Sequence, residues 1–159
     1  MRALSKRDWN NVIIFAVLGL MLIFYLIPAQ LEKNRQQPIQ VLPSDALLLQ
    51  IDYGQTRLVQ AGAGQWQFQP AQPQWPAATT VLAAWQQLQL TALPQSPQLP
   101  TQPLARAAVL LHAQPQPQQW WLYAIQTAGE TAFFLQRQGQ PAIYAVTAEQ
   151  VPLLFPNHR

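Results

Sequence analysis

The chain reads as an α+β protein: an N-terminal transmembrane helix, then a small, mainly antiparallel β ectodomain with one main helix, in the order βββα-ββββ. Three observations predict this. An unbroken apolar run, VIIFAVLGLMLIFYLI, occupies Val12–Ile27. Beyond it, apolar residues recur at every second position in short runs bounded by Gly and Pro, the period of a half-buried strand. One stretch, TTVLAAWQQLQL at Thr79–Leu90, shifts toward a period of 3.6.

Composition narrows the function classes. Of the 159 residues, 50% are hydrophobic and only 9% charged, against about 25% charged in an average soluble domain. Glutamine and proline take up the missing polar surface, with 27 Gln and 15 Pro. The absence of Cys removes a disulfide framework, a thiolate metal site, a Cys nucleophile and a lipoprotein anchor. With 2 His a His-rich metal site is not expected, and neither is a cofactor. The net charge of +3 lies entirely in residues 1–35, where Arg2, Lys6, Arg7, Lys33 and Arg35 oppose Asp8 and Glu32. Downstream, four scattered arginines balance four carboxylates. Nucleic-acid binding needs clustered cations, so no nucleic-acid partner is expected.

The first element is the apolar run. The charge-free stretch Trp9–Leu31 has 23 residues, about 34 Å of helix, enough for a bilayer core of roughly 30 Å. Trp9 and Tyr25 stand near its ends, where amphipathic rings favour headgroups, and Pro28 is expected to stop the helix. A cleaved signal peptide needs small residues before the cleavage site, and cleavage after Ala29 would put Ile27 there. A buried core helix would need more protein around it than this chain supplies. Residues 12–28 therefore read as an uncleaved signal anchor in contact with a lipid bilayer. Arg2, Lys6 and Arg7 before the span, against Lys33 and Arg35 after it, orient it with residues 1–11 cytoplasmic. The bulk then lies outside, in the periplasm of a Gram-negative inner membrane.

Residues 29–45 read as a polar stalk held extended by Pro38 and Pro43. The ectodomain covers 46–156. Leu47, Leu49, Ile51 and Tyr53 would share one strand face. Gly54-Gln55 offers a hairpin turn, Thr56–Ala61 the return strand, and Gly62-Ala63-Gly64 a second turn. Gln65-Trp66-Gln67-Phe68-Gln69 alternates without a fault, burying Trp66 and Phe68. After the Pro-rich PAQPQWP, Thr79 is a plausible N-cap for a helix that buries Val81, Leu82, Trp85 and Leu88. Residues 91–104, with four prolines, form a connector. Strands follow at Ala107–Ala113, Gln119–Thr127, Thr131–Gln138 and Ala142–Thr147. Thr147, with Gln150 three residues on, opens a final helical turn through a capping box.

The run ALLLQIDYGQTRLVQAGAGQWQFQP, its Pro-rich turn and the helix after it resemble a family of uncharacterised membrane-anchored bacterial envelope proteins. Ala132-Phe133-Phe134-Leu135 and Ala142-Ile143-Tyr144-Ala145-Val146 are similar to that family's later aromatic strands. Several of its members occur beside gliding-type ABC transporter components, so the resemblance implies an envelope protein partner in a transport or secretion complex. It implies no catalytic residues. The family usually caps its helix with an acidic residue, where Ala77-Ala78-Thr79 stands here.

No catalytic set converges. A Ser/His/acid triad would draw on His112 with Ser44 or Ser96 and Asp45 or Asp52, and neither serine sits in a nucleophile elbow. Asp45 and Asp52 are seven residues apart, which puts them on opposite faces of a strand and denies a glycosidase pair. The candidate binding residues are aromatic: Trp120, Trp121, Tyr123 and Trp75. Adjacent Trp120 and Trp121 must point to opposite faces, so one ring can be exposed and serve as a hot spot or a platform for a sugar ring. In the plainer reading both faces are covered. The sequence thus predicts a non-enzymatic inner-membrane protein whose periplasmic domain is an adaptor of an envelope complex. The alternative is a glycan-binding module using exposed aromatics.

Overall fold

The computed structural model describes residues 6–35, 38–42, 46–62, 64–112, 114–127 and 129–158, with the side chains of residues 6–8, 10, 26–35 and 127 excepted. The chain divides into two compact units, residues 1–37 and 38–159.

The first unit is helix α1, Lys6–Arg35. It runs past Pro28 rather than stopping there. Proline removes one backbone donor, but its fixed φ is compatible with a helix, and the following Gln30, Leu31, Glu32, Lys33 and Arg35 are good helix formers. The apolar side chains from Val12 to Tyr25 are exposed. The expected transmembrane signal anchor at 12–28 is corrected: among the described residues no helix is long and apolar enough to cross a membrane. The side chains of 26–28 lie outside the described residues. Without a span among the described residues, the Lys/Arg bias orients nothing. The assignments to a single-pass inner-membrane topology and a periplasmic location are withdrawn with it.

The second unit is α+β. Its strands are β1 (Ile39–Gln40), β2 (Leu48–Asp52), β3 (Arg57–Ala61) and β4 (Gln65–Gln69), then, after helix α2 (Ala78–Gln87), β5 (Gln89–Leu90), β6 (Ala105–Leu111), β7 (Gln118–Thr127), β8 (Glu130–Arg137) and β9 (Ile143–Val146). Helix α3 (Val151–Leu154) closes it. Seven strands form one antiparallel sheet in the order β4-β3-β2-β6-β7-β8-β9, and β1 pairs with β5 separately. Two meanders, β2–β4 and β6–β9, thus join through their first strands. The expected βββα-ββββ order omits the β1–β5 pair. Each of those strands has two residues, too few to show a period, and they meet across about fifty residues of chain. Part of the expected stalk belongs to this pairing: the Val41 N–H donates to the Leu88 carbonyl at 3.1 Å, and Val41 and Leu42 are buried.

Phase in β2 differs from the alternating expectation. Register against β6 shifts between Leu48 and Gln50, an irregularity that lets two residues oppose one and inverts the parity. Leu48 is therefore buried at 9% exposure while Leu49 is 44% exposed. Downstream, Ile51 and Tyr53 are core as expected. The hairpin after them turns at Gly54, whose φ of 95° favours glycine. The Asp52 Oδ1 there accepts the Gly54 N–H at 2.7 Å.

One face of the sheet carries the core. Val81 and Trp85 of α2 and Val151, Leu154 and Phe155 from the α3 region join Ile51, Leu58, Val109, Leu122 and Leu135 there. Trp85 is fully buried, and its Nε1–H donates to the Tyr53 hydroxyl (3.0 Å) and the Leu154 carbonyl (3.2 Å). One indole thereby ties α2 to β2 and α3. Burial raises the Tyr53 phenol well above its ordinary pKa, and the Trp85 hydrogen bond offsets part of that. Thr79 is not the N-cap: Ala77 is, without a side-chain cap, and its carbonyl accepts the Val81 N–H at 3.1 Å. Pro76 precedes Ala77, so the chain enters the helix before Thr79 is reached. At the other end the capping box is present. The Thr147 N–H donates to Gln150 Oε1 (3.0 Å) and the Gln150 N–H to Thr147 Oγ1 (3.3 Å).

Candidate functional site

The opposite face of the sheet is the open one. Along β6, Ala105, Ala107, Val109 and Leu111 are buried, whereas Arg106 is exposed and Ala108 and Leu110 are half-buried. Along β7, Trp120 and Leu122 enter the core cluster, which by strand alternation places Trp121, Tyr123 and Ile125 on the open face. Register then assembles rows across that face. Arg106, Trp121, Gln136 and Ile143 lie opposite one another on β6 to β9, and Tyr123, Phe134 and Ala145 form the next row.

Beside Trp121 is an open depression of about 940 Å³ over β2 and β6. Its floor is small because Ala108 stands between Asp52 of β2 and Gln119 of β7. Pro103 and Leu104 line it, as do Pro115 and Pro117 of the β6–β7 loop, and Gln50, Asp52, Arg106 and Gln119 bring polar groups to it. Each oxygen of the Asp52 carboxylate has a donor: Oδ1 accepts the Gly54 N–H and Oδ2 meets Arg57 Nε at 3.0 Å. The Arg106 guanidinium lies 6.0 Å from the Trp121 ring centroid, at the outer range of a cation–π contact. Burial raises the Tyr123 phenol pKa, and the Arg106 charge offsets part of that rise.

The four sequence-predicted aromatics divide between the two sides. Trp121 is half-buried on the open face, and Tyr123 lies on the same face at 5% exposure. Trp120 is 1% exposed, tilted against Tyr144 with centroids 6.2 Å apart. Its Nε1–H has no acceptor among the described residues. Trp75 stands edge-on to Tyr53 (5.8 Å) and Phe68 (5.1 Å) beside a smaller depression that Thr56 and Gln72 also line. Sequence reading passed over Arg106, Gln119, Gln50 and Ala108. Their convergence depends on the β2–β6 pairing, for which the sequence carries no local signal.

The residues weighed for catalysis are dispersed. His112 is exposed in the turn after β6, where its backbone N–H donates to the Leu47 carbonyl at 2.9 Å. Ser96 is exposed in the connector, Asp52 is paired with Arg57, and Ser44 and Asp45 lie outside the described residues. Among the described residues no group of three or more His, Cys, Asp or Glu could hold a metal ion.

A half-exposed indole beside amides, a guanidinium and a carboxylate offers an apolar plane next to donors and acceptors. No protein-family model, curated protein or solved structure matches the chain, and the resemblance to membrane-anchored envelope proteins is withdrawn. The adaptor reading rested on that resemblance and on the anchor, and it is withdrawn with them.

Proposed function

We propose that the chain is a glycan-binding module whose site is the open sheet face around Trp121. The observation that supports this most is the pairing of a half-buried indole, Trp121, with an adjoining polar depression. A sugar ring has an apolar face of C–H groups and a rim of hydroxyls. The face buries on an indole, and the hydroxyls need donors and acceptors nearby, because a polar group buried unpaired costs about 1–3 kcal/mol. Gln50, Gln119 and Gln136 each carry both kinds of group. Function is binding rather than turnover in this reading, since among the described residues nothing on the face pairs an acid with a base.

Isothermal titration of the full chain with a panel of neutral and acidic oligosaccharides tests the proposal. Trp121→Ala is expected to weaken every positive titration at least about tenfold, the scale of losing one central aromatic contact. A Gln67→Ala control on the exposed side of β4 should leave binding unchanged. No heat with any saccharide, or binding indifferent to Trp121→Ala, refutes it.

A further inference from the structure

We infer that this face selects acidic sugars, and that Arg106 is the residue that receives their carboxylate. The inference rests on the glycan-binding reading and adds a ligand charge to it.

Among the described residues, the ionisable side chains other than tyrosine that line the depression are Asp52 and Arg106, and Arg57 is paired with Asp52. Asp52 and Arg57 cancel each other, and both Asp52 oxygens already have donors. Arg106 is exposed and, among the described residues, has no carboxylate partner and no side-chain hydrogen bond. The amides of Gln50, Gln119 and Gln136 carry no charge. One positive charge is therefore left uncompensated, and it sits over the Trp121 ring, 6.0 Å from its centroid, opposite Trp121 in register and lining the depression. Guanidinium presents its N–H donors as a planar fork that matches a carboxylate bidentately. A sugar ring taking the place of the guanidinium on Trp121, with its carboxylate drawing Arg106 toward β6, would satisfy both groups at once. A neutral sugar would leave the fork to water.

The test compares matched ligands. Oligomers of galacturonate, glucuronate and mannuronate, and the methyl ester of each, are titrated into the full chain and into the Arg106→Gln, Arg106→Lys and Trp121→Ala variants. The expected result is an acid preference of about tenfold over the ester, the size of a charge-assisted hydrogen bond at a partly exposed site. Rising salt should shrink that preference. Arg106→Gln should abolish the preference while keeping the weaker ester binding, and Arg106→Lys should retain part of it, having charge without the fork. Trp121→Ala should weaken acid and ester alike. Equal binding of acid and ester, or a preference that survives Arg106→Gln, overturns the inference and leaves the glycan reading intact. Failure of every oligosaccharide to bind overturns both. Circular dichroism of each variant distinguishes loss of the site from loss of the fold.

Discussion

Replacing Trp85 with Phe tests the join between sheet and helices. The indole is fully buried and donates to both the Tyr53 hydroxyl and the Leu154 carbonyl. Phe removes the donor and part of the ring. A hydrogen bond contributes about 1 kcal/mol net, and its stranded buried acceptors cost about 1–3 kcal/mol. The lost ring volume adds a fraction of the roughly 3–5 kcal/mol seen for a full aromatic truncation. The expected destabilisation is about 3 kcal/mol by the same principles, or roughly 12 °C in Tm for a unit of this size. Tyr53→Phe should cost only about 1 kcal/mol, because Trp85 keeps its second acceptor. In the double variant the Tyr53 change should cost almost nothing, since its hydroxyl is already unpaired, giving a coupling of about 1 kcal/mol. Urea unfolding followed by far-ultraviolet circular dichroism reads all four proteins without relying on tryptophan emission. Zero coupling, or a Tyr53→Phe cost equal to that of Trp85→Phe, would refute the bridging role.

Two further outcomes follow from groups described above. Burial raises the phenol pKa values of Tyr53, Tyr123 and Tyr144, so the folded state keeps protons that the unfolded state releases. Stability should hold up to the unfolded tyrosine value near pH 10 and then fall with rising pH, chiefly through Tyr53, whose rise is the largest and whose limiting slope is about 1.4 kcal/mol per pH unit. Urea midpoints measured across alkaline pH check this, and Tyr53→Phe should make the fall shallower. Thr147→Ala removes one half of the capping box before α3 and should cost about 1 kcal/mol, read as a Tm shift of roughly 4 °C; an unchanged Tm would show that the box is incidental.

Where local chemistry decides the outcome, the sequence was legible. The Gln-Trp-Gln-Phe-Gln alternation of β4, the Val81/Trp85/Leu88 stripe, the Gly54 turn and the Thr147–Gln150 capping box all rest on neighbours within a few residues. What escaped was set at a distance or by parity. The run Ala46–Leu49 is apolar throughout, so its period is ambiguous, and only pairing with β6 reveals the register shift that buries Leu48 in place of Leu49. Adjacent Trp120 and Trp121 must point oppositely, but which one faces the helices depends on the register of β6, β7 and β8. The β1–β5 pair and the depression over Ala108 are likewise products of long-range pairing. In the first unit, Pro28 was given the weight of a full stop, although the residues after it favour helix enough to carry α1 to Arg35.

Indole N–H resonances locate the site most directly, because the chain has 6 tryptophans and Nε1–H signals can be assigned by single Trp→Phe substitutions. On adding a bound oligosaccharide, the Trp121 signal should move with ligand concentration while those of the buried Trp85 and Trp120 stay in place. A saturating shift at Trp75, or at none of the six, with Trp121 unmoved, would contradict the assignment of the open sheet face as the binding surface.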